Sequence, residues 1–420
     1  VYKRQGQYSI QNIPVSELIE TYHTPVYVYD SSIIKRQIDR LKAAFDVPEL
    51  GIHFACKALN NINILKLIEQ WGVGLDCVSV QEIWTGLKAG FKPSEIIYTP
   101  NCVAPDEVEM AIQLGVQINI DHIETLEYIG HHHPNVKIGI RINPHVMAGG
   151  HEKISVGHID SKFGISIYQM PLVLRLVDTL KLKVNGLHMH TGSDILDAGV
   201  FAFASEIMYD TAKKFPDLEF IDFGSGIKVP YKPDDVCTDV EELGQVLSKS
   251  FNQFCKDYGR KLKLYFEPGK YLVSECGFFF VKTNVIKQTP STVFAGVDSG
   301  LNHLIRPMFY DAYHHILNVS NPSGKPRVYN VVGYICETDT FANNRVVAEI
   351  HPGDILCFKN AGAYCFTMSS NYNSRFRPAE VLIHEGKHYL IRQRESMEAV
   401  SYTHLRAHET DSYLVCRLLL

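Results

Sequence analysis

The chain has 420 residues, which excludes a single small module and, at about 150 residues per domain, predicts two or three domains. Hydrophobic residues make up 45% and charged residues 21%, the composition of an ordinary globular protein and not of a disordered tail. A formal charge of −5 without a long basic run argues against nucleic acid as a partner, and no apolar stretch approaches the roughly 20 residues of a membrane span. The ten cysteines form no Cys-x-x-Cys pair, so we expect a soluble, cytoplasmic protein that binds a small molecule.

Both ends of the chain differ in character from the rest. The chain begins without Met, and its last twenty residues follow a strand-like run that has already passed into polar residues. We interpret residues 1–5 and 401–420 as sequence scars, with a genuine amphipathic tail as the alternative.

A repeating pattern of a short apolar strand, a turn and a helical segment extends from about residue 50 to 270. The predicted strands are 52–56, 74–78, 96–99, 117–121, 137–142, 185–190, 219–223 and 263–267. Eight such units predict a (β/α)8 TIM barrel over residues 31–280 in preference to an open doubly wound sheet. The long Gly- and His-rich stretch 145–168 interrupts the pattern, and we expect it to lie over the barrel mouth.

After residue 280 the pattern changes to strands without helices. These strands are predicted at 281–286, 293–297, 328–335 and 354–358, followed by a hairpin over 381–391. They predict a C-terminal β domain, a barrel or sandwich, over residues 281–400. The early run 25–29 is also strand-like, so we expect the N-terminal segment 6–30 to join this β domain.

Chemically versatile residues follow several barrel strands, at the end where barrels of this kind hold their active sites. Lys57 follows the first strand, although a lone lysine in such a loop is usually a solvated residue. His188 and His190 end the sixth strand on one face; two imidazoles suit a metal or a flat cofactor, and we favour no metal because no third ligand lies nearby in sequence.

The last two strands add a glycine-rich turn and a carboxylate. The turn Gly224-Ser225-Gly226 has backbone amides that suit a phosphate, although glycines also form ordinary turns. Glu267 follows the eighth strand, where an exposed glutamate before a Pro-Gly turn is the alternative. A lysine, an imidazole, a phosphate-binding turn and a carboxylate together suit pyridoxal 5′-phosphate, although spacing alone does not establish it.

Several segments together resemble a known family. Four of them resemble the motifs of the fold-type III, alanine-racemase-like pyridoxal-phosphate decarboxylases: Ala55-Cys56-Lys57-Ala58, His188-Met189-His190-Thr191-Gly192-Ser193, Gly224-Ser225-Gly226 and Glu267-Pro268-Gly269. Within that group, the segments 298–313, 333–339, 362–364 and 370–380 resemble the diaminopimelate decarboxylases in particular. The similarity covers about residues 8–395 in order, which makes it specific.

The resemblance implies roles for individual residues. For the cofactor they are Lys57 as the covalent attachment, His190 stacked on the ring, Glu267 at the ring nitrogen, Ser193, Gly224, Ser225, Gly226 and Tyr364 at the phosphate, and Asp76 and Gly269 completing the site. The implied catalytic set is Lys57, His190, Glu267 and Cys336, with the Cys336 thiol returning a proton to the substrate. The implied substrate contacts are Lys270, Arg306, Tyr310, Glu337, Tyr364 and Tyr372.

The implied reaction is decarboxylation of meso-2,6-diaminopimelate to L-lysine, the last step of lysine biosynthesis. Members of the family form homodimers that share active sites, so Cys336 and Glu337 would come from the neighbouring subunit. This sequence departs from the family pattern at Ser225, where a third glycine is common, at Lys270, where arginine is usual, and at Phe376, where proline is usual. A carboxynorspermidine or ornithine/lysine-type decarboxylase of the same fold is the alternative enzyme, and a non-catalytic paralogue that binds the cofactor is the alternative from another class.

Overall fold

The computed structural model describes residues 2–4, 6–146, 160–190 and 192–398. Its first part is a closed barrel of parallel strands, which confirms the predicted fold class. In chain order the eight strands are Leu50–Ala55, Gly74–Cys77, Ile96–Tyr98, Gln117–Ile120, Lys137–Asn143, Lys183–Met189, Phe220–Asp222 and Lys263–Phe266. The first and eighth strands pair in parallel, and so do all neighbours, so the sheet has no free edge.

Helices cover the outside of the barrel. Those that follow the first seven strands are Ile62–Gln70, Val80–Ala89, Pro105–Leu114, Ile123–His132, Met170–Leu180, Ala198–Ala212 and Val240–Tyr258. The eighth strand is followed by a helix of a single turn, Lys270–Val273. Helix Ser31–Ala44, which precedes the first strand, packs beside this turn and against helix Val240–Tyr258. The two helices are so close that a Cβ atom at Gly244 would overlap the carbonyl of Ala44.

Local sequence sets where the barrel helices begin and end. Asp30 caps helix Ser31–Ala44, because its carboxylate accepts a hydrogen bond from the backbone of Ser32 (2.9 Å). Asn61 and Ser79 cap the next two helices in the same way. Helix Val240–Tyr258 ends at Gly259, which adopts a left-handed conformation (φ 80°) that glycine tolerates without strain.

The second part of the chain is a mostly β region. Its strands are Gly277–Gln288, Val293–Val297, Ile316–Asn318, Pro326–Val332, Thr340–Ala348, Ile355–Phe358, Ala379–His384 and Lys387–Arg392, with the short helix Arg306–Tyr310 among them. Strand Val26–Asp30 lies between Gly277–Gln288 and Ala379–His384, which confirms that the N-terminal segment joins this sheet. The prediction missed the strands Ile316–Asn318 and Thr340–Ala348, and strand Gly277–Gln288 extends across the predicted domain boundary at residue 280.

The N-terminal residues add a small antiparallel sheet and a helix before strand Val26–Asp30. The three strands are Tyr2–Arg4, Gln7–Ile10 and Ile13–Pro14, followed by helix Val15–Tyr22. Residues 147–159, within the loop expected over the barrel mouth, lie outside the described residues, as does the segment 401–420. Within the same stretch 145–168, the short strand Ile165–Ser166 pairs in parallel with the fifth barrel strand. Over the described ranges, none of the helices has the length and apolar character to cross a membrane.

The barrel and the β region share one continuous core. One cluster of buried side chains contains Phe54 and Leu264 of the barrel together with Tyr27 and Phe279 of the β region. At the barrel mouth, the backbone N–H of Tyr364 donates to the carbonyl of Ala58 (2.9 Å), next to Lys57. The β region therefore supplies one wall of the barrel mouth.

Candidate active site

A cavity of about 560 Å³, including its open mouth, lies at the C-terminal ends of the barrel strands. It is lined by Ala55, Lys57, Asp76, Val78, Thr99, Arg141, His188, His190, Ser193, Ser225, Gly226, Ile227, Glu267, Gly269, Lys270 and Tyr364. All of the residues predicted to bind the cofactor are in this set, except Gly224, which lies one residue before Ser225. The cavity also contains Lys270, one of the predicted substrate contacts.

Lys57 enters the cavity from a tight turn. Strand Leu50–Ala55 continues into the 3-10 turn Cys56–Ala58, in which Cys56 and Ala58 are buried while solvent in the cavity reaches Lys57. Burial opposes the charge of the ammonium, but the nearby Asp76, Tyr364 and Glu267 outweigh it and raise the pKa of Lys57. No hydrogen bond or ion pair joins the Lys57 amine to another described residue, so the amine is available to a ligand.

The glycine-rich turn lies beside His190. Gly224 and Gly226 have φ values of 61° and 133°, and a Cβ at either would lie within 2.7 Å of neighbouring atoms, so both positions require glycine. The backbone N–H of Ser225 donates to Nδ1 of His190 (3.2 Å), which requires that nitrogen to be unprotonated. Burial and the charges of Lys57 and Arg141 lower the pKa of His190 well below its ordinary value, so this imidazole is neutral.

Glu267 presents an ionised carboxylate to the cavity. Its Oε2 lies 2.9 Å from Nε2 of His188, and both side chains are buried. Burial opposes the carboxylate charge, but the adjacent His188 and Lys57 outweigh it and lower the pKa of Glu267 to about 2. Oε1 of Glu267 is buried without a hydrogen-bond partner, so it can accept a hydrogen bond from a ligand.

Lys270 lines one side of the cavity, and Arg306, which does not line it, lies close enough for its charge to act on Lys270 and Tyr364. Lys270 donates to Oδ1 of Asp194 (2.5 Å), and burial lowers its pKa. The guanidinium of Arg306 is buried over the ring of Tyr231 (5.1 Å to the centroid), its Nε atom has no hydrogen-bond partner, and its charge also acts on Lys270. Tyr310 lies beside it, with its ring centroid 6.0 Å from the guanidinium carbon. This arrangement suits a carboxylate ligand.

The remaining predicted residues, Cys336, Glu337 and Tyr372, form a separate exposed cluster on the β region. The hydroxyl of Tyr372 donates to Oε1 of Glu337 (2.8 Å), and the amide of Asn373 donates to Sγ of Cys336 (3.2 Å). None of the three lines the cavity of the same chain. The structure therefore does not bring the predicted proton donor to the cavity within one subunit.

The cavity contains residues that sequence reasoning missed. Arg141 lies in the fifth barrel strand, where alternation separates it from the apolar Ile140 and Ile142 and directs it inward beside His188. A charged residue at such a position was the signal that could have identified it. His188 was identified only as a neighbour of His190, and Thr99, Val78 and Ile227 carried no signal.

Three buried residues, His188, Asp222 and Glu267, bring one potential metal-ligand atom each to within 4.8 Å of one another. Among the described residues this is the cluster with a metal-compatible arrangement. The hydrogen bond between His188 and Glu267 already uses two of these groups directly, which favours a protein-only network over a metal site.

Comparisons with known proteins agree with this geometry. A family model described as "Pyridoxal-dependent decarboxylase, pyridoxal binding domain" matches residues 31–274. A diaminopimelate decarboxylase from Methanothermobacter thermautotrophicus is 40% identical over 403 residues, covering 93% of this chain and 94% of that protein. Two solved structures, both diaminopimelate decarboxylases in complex with L-lysine, have similar folds.

The first of these structures, from Helicobacter pylori, has a TM-score of 0.85 at 32% identity, covering 92% of this chain and 98% of that one. The second, from M. jannaschii, has a TM-score of 0.89 at 28% identity, covering 97% and 98%. The similarity thus extends over the barrel and the β region alike. The chain belongs to the diaminopimelate decarboxylase family of pyridoxal-phosphate-dependent enzymes.

Proposed function

We propose that this chain is a pyridoxal 5′-phosphate-dependent carboxy-lyase that converts meso-2,6-diaminopimelate to L-lysine and carbon dioxide. The observation that carries the proposal is that one cavity holds the unpaired amine of Lys57, the turn Gly224–Gly226 and the unpartnered Oε1 of Glu267. These three features correspond to the aldehyde, the phosphate and the ring nitrogen of the cofactor. The family to which the chain belongs supports the same conclusion.

The residues of the cavity fit pyridoxal phosphate. Lys57 would hold its aldehyde, the backbone amides of Ser225 and Gly226 with Ser193 and Tyr364 would hold its phosphate, and Oε1 of Glu267 would accept from its ring nitrogen. Asp76, beside Lys57, and Gly269, where a Cβ would lie 2.9 Å from the hydroxyl of Tyr364, complete the enclosure. When bound, the cofactor supplies a conjugated ring that stabilises the electron pair left on the α-carbon as carbon dioxide departs.

The charge states of Glu267 and His190 suit the role of the cofactor ring as an electron acceptor. Because Glu267 is ionised, it favours a protonated ring nitrogen, which increases the electron demand of the ring. Neutral His190 can lie against the ring without adding a positive charge that would oppose the protonation of the nitrogen. The carboxylate of Glu267 is buried, which excludes most water from it.

Substrate selection follows from Lys270 in the cavity lining and from Arg306 next to it. Lys270 and Arg306 can bind the distal carboxylate of diaminopimelate, and Tyr310 lies next to Arg306. A simple diamine precursor such as ornithine has no distal carboxylate, so it would leave these cations without an anion other than Asp194. The cation pair therefore favours a diamino dicarboxylic acid.

The missing proton donor points to a homodimer. Loss of carbon dioxide breaks a carbon–carbon bond, and a proton must replace the carboxyl group on the α-carbon. Cys336 can supply that proton from its thiol, and Glu337 and Tyr372 can contact the distal ammonium, but all three lie outside the cavity of their own chain. We propose that a second subunit brings this cluster to the cavity, and that the enzyme works in the cytoplasm, where unpaired cysteines remain reduced.

The direct test is carbon dioxide release from meso-diaminopimelate by the cofactor-loaded protein. Lys57→Ala should abolish release, whereas Lys66→Ala, at an exposed helix position, should not. Borohydride reduction followed by peptide mapping should label Lys57. Absence of both release and label would refute the proposal, and faster turnover of ornithine, lysine or carboxynorspermidine in a competition assay would refute the substrate assignment.

The shared site has its own test. Neither Lys57→Ala nor Cys336→Ser should be active alone, because each lacks one half of every site. After the two are mixed and allowed to exchange subunits, half of the dimers should be mixed, each with one intact site, giving about a quarter of wild-type activity for a two-fold dimer. Activity below one-hundredth of wild type after verified exchange would contradict the sharing of Cys336.

A further inference from the structure

A network of three buried side chains lies behind the cofactor face of the cavity. His188, Asp222 and Glu267 come from the sixth, seventh and eighth barrel strands or the residue just after, and His188 and Asp222 are paired in register. Their exposed fractions are 1%, 0% and 8%. One polar atom of each lies within 4.8 Å of the others, so the three side chains form one electrostatic unit.

The contact between His188 and Glu267 orients the carboxylate. An ionised carboxylate only accepts hydrogen bonds, so His188 must donate from Nε2 to Oε2 of Glu267 (2.9 Å). Since Oε2 is occupied in this way, Oε1 is the oxygen left for the cofactor. A hydrogen bond to a charged group in a buried site is strong and directional, so it holds the carboxylate in one rotamer.

Asp222 connects the same carboxylate to the glycine-rich turn. Its Oδ1 accepts from the backbone N–H of Gly224 (2.7 Å), and the carbonyl of Gly224 in turn accepts from the backbone N–H of Glu267 (2.6 Å). Burial and the negative charge of Glu267 raise the pKa of Asp222 well above its ordinary value. The raised pKa favours the protonated form of Asp222, which reduces the charge repulsion that two buried carboxylates would otherwise have.

We propose that His188 and Asp222 are positioning residues for the cofactor: His188 directs Oε1 of Glu267 toward the ring nitrogen, and Asp222 couples that carboxylate to the phosphate-binding turn. This inference rests on the proposed function, because it assumes that pyridoxal phosphate occupies the cavity. Neither residue needs to touch the substrate. Their effect is transmitted through Glu267 and Gly224.

The test measures cofactor binding rather than turnover. The dissociation constants of the cofactor-free protein are determined by absorbance titration for pyridoxal phosphate, for 1-deaza-pyridoxal phosphate, which lacks the ring nitrogen, and for pyridoxal, which lacks the phosphate. His188→Leu removes the donor to Glu267 and should lower the preference for pyridoxal phosphate over the deaza analogue about 10- to 100-fold, the value of one buried charge-assisted hydrogen bond. Its preference for pyridoxal phosphate over pyridoxal should stay within about threefold of wild type.

Asp222 should give a different pattern. Asp222→Leu removes the acceptor for Gly224, whose carbonyl accepts from the backbone of Glu267, so both preferences should fall. Asp222→Asn keeps that acceptor and should retain both. His188→Gln keeps a side-chain donor and serves as the conservative variant if His188→Leu does not fold. His303→Leu removes a buried histidine of the β region that does not line the cavity and is the matched control.

The outcomes separate this inference from the proposed function. If wild-type protein binds no pyridoxal phosphate, the proposed function itself fails. If the wild type binds but His188→Leu weakens the binding of both ring analogues equally, as any general loss of packing such as that in His303→Leu should, then His188 only fills space and the inference is overturned. A wild-type protein that binds the cofactor only with added Zn²⁺, and loses it with EDTA, would show that the three residues hold a metal ion and would also overturn the inference.

Discussion

Buried Glu380 connects three separate parts of the fold, and its loss should be one of the most damaging single changes to stability. The side chain is 0% exposed and accepts hydrogen bonds from the hydroxyl of Tyr29 (2.7 Å), the amide of Asn61 (3.0 Å) and Nε of Arg392. Tyr29 lies in the N-terminal strand, Asn61 caps the helix after the Lys57 turn, and Arg392 lies in the last hairpin. Glu380 therefore joins the barrel to the β region.

The magnitude follows from what the change would leave behind. Glu380→Ala would leave two buried donors, on Tyr29 and Asn61, without a strong acceptor, at about 1–3 kcal/mol each. Arg392 is about two-fifths exposed, so it can regain water, and its contribution should be below that of a fully buried charge. The expected loss is about 3–5 kcal/mol of unfolding free energy, the range measured when one partner of a buried ionic network is removed.

Urea denaturation of the cofactor-free protein, followed by fluorescence and circular dichroism, measures this loss. Glu380→Gln keeps an acceptor for Tyr29 and should lose only about 1–2 kcal/mol, because the amide replaces a charge-assisted bond with a neutral one. The exposed Glu385→Ala variant in the adjacent turn should change stability by less than about 0.5 kcal/mol. A loss below about 1 kcal/mol for Glu380→Ala would refute the inference that these contacts join the two regions.

Three further predictions concern the site. Lys270→Arg should lower the KM for diaminopimelate about two- to tenfold with little change in kcat, because a planar guanidinium adds a second hydrogen bond to the distal carboxylate. Steady-state kinetics measure this change, and a higher KM would contradict the prediction. Cys336→Ser should lower kcat by about 10²–10⁴ while cofactor affinity stays unchanged, and a parallel loss of affinity would indicate a structural role. Asp222→Asn should become increasingly stable relative to wild type as pH rises above about 4, because the raised pKa of Asp222 stabilises the wild-type fold at low pH and that contribution is lost as pH rises toward the folded-state pKa. A pH-independent difference in thermal midpoint would contradict this.

The barrel was predictable because its strands are short apolar runs that end in turns or in polar residues at the mouth. The strand Thr340–Ala348 was not, for a local reason. Its centre contains Asn343 and Asn344, a pair typical of turns, and Asn344 does adopt a left-handed φ of 47° where the strand register shifts. Pairing with Pro326–Val332 on both sides of this irregularity stabilises the strand, and that tertiary contact has no local signature.

The packing of helix Ser31–Ala44 shows a similar limit. Its amphipathic pattern identifies a helix, but only the closed barrel shows that it covers the gap left by the one-turn helix Lys270–Val273. Within the site, strand ends predicted Lys57 and Glu267, because residues after barrel strands face the mouth. Arg141 was missed because it lies inside a strand and not after its end, although the alternation of side chains along the strand directs it into the barrel.

The location of each group indicates how the chemistry is divided between subunits. Every residue proposed to hold the cofactor belongs to the barrel, except Tyr364, which the β region brings to Ala58 through a backbone hydrogen bond. The proposed proton donor, Cys336, lies on the exposed surface of the β region, outside that cavity. A single chain should therefore bind the cofactor with nearly full affinity yet return no proton to the substrate. Dilution below the dimer's dissociation constant should abolish turnover while the cofactor remains bound, so activity and cofactor content should separate as a function of protein concentration.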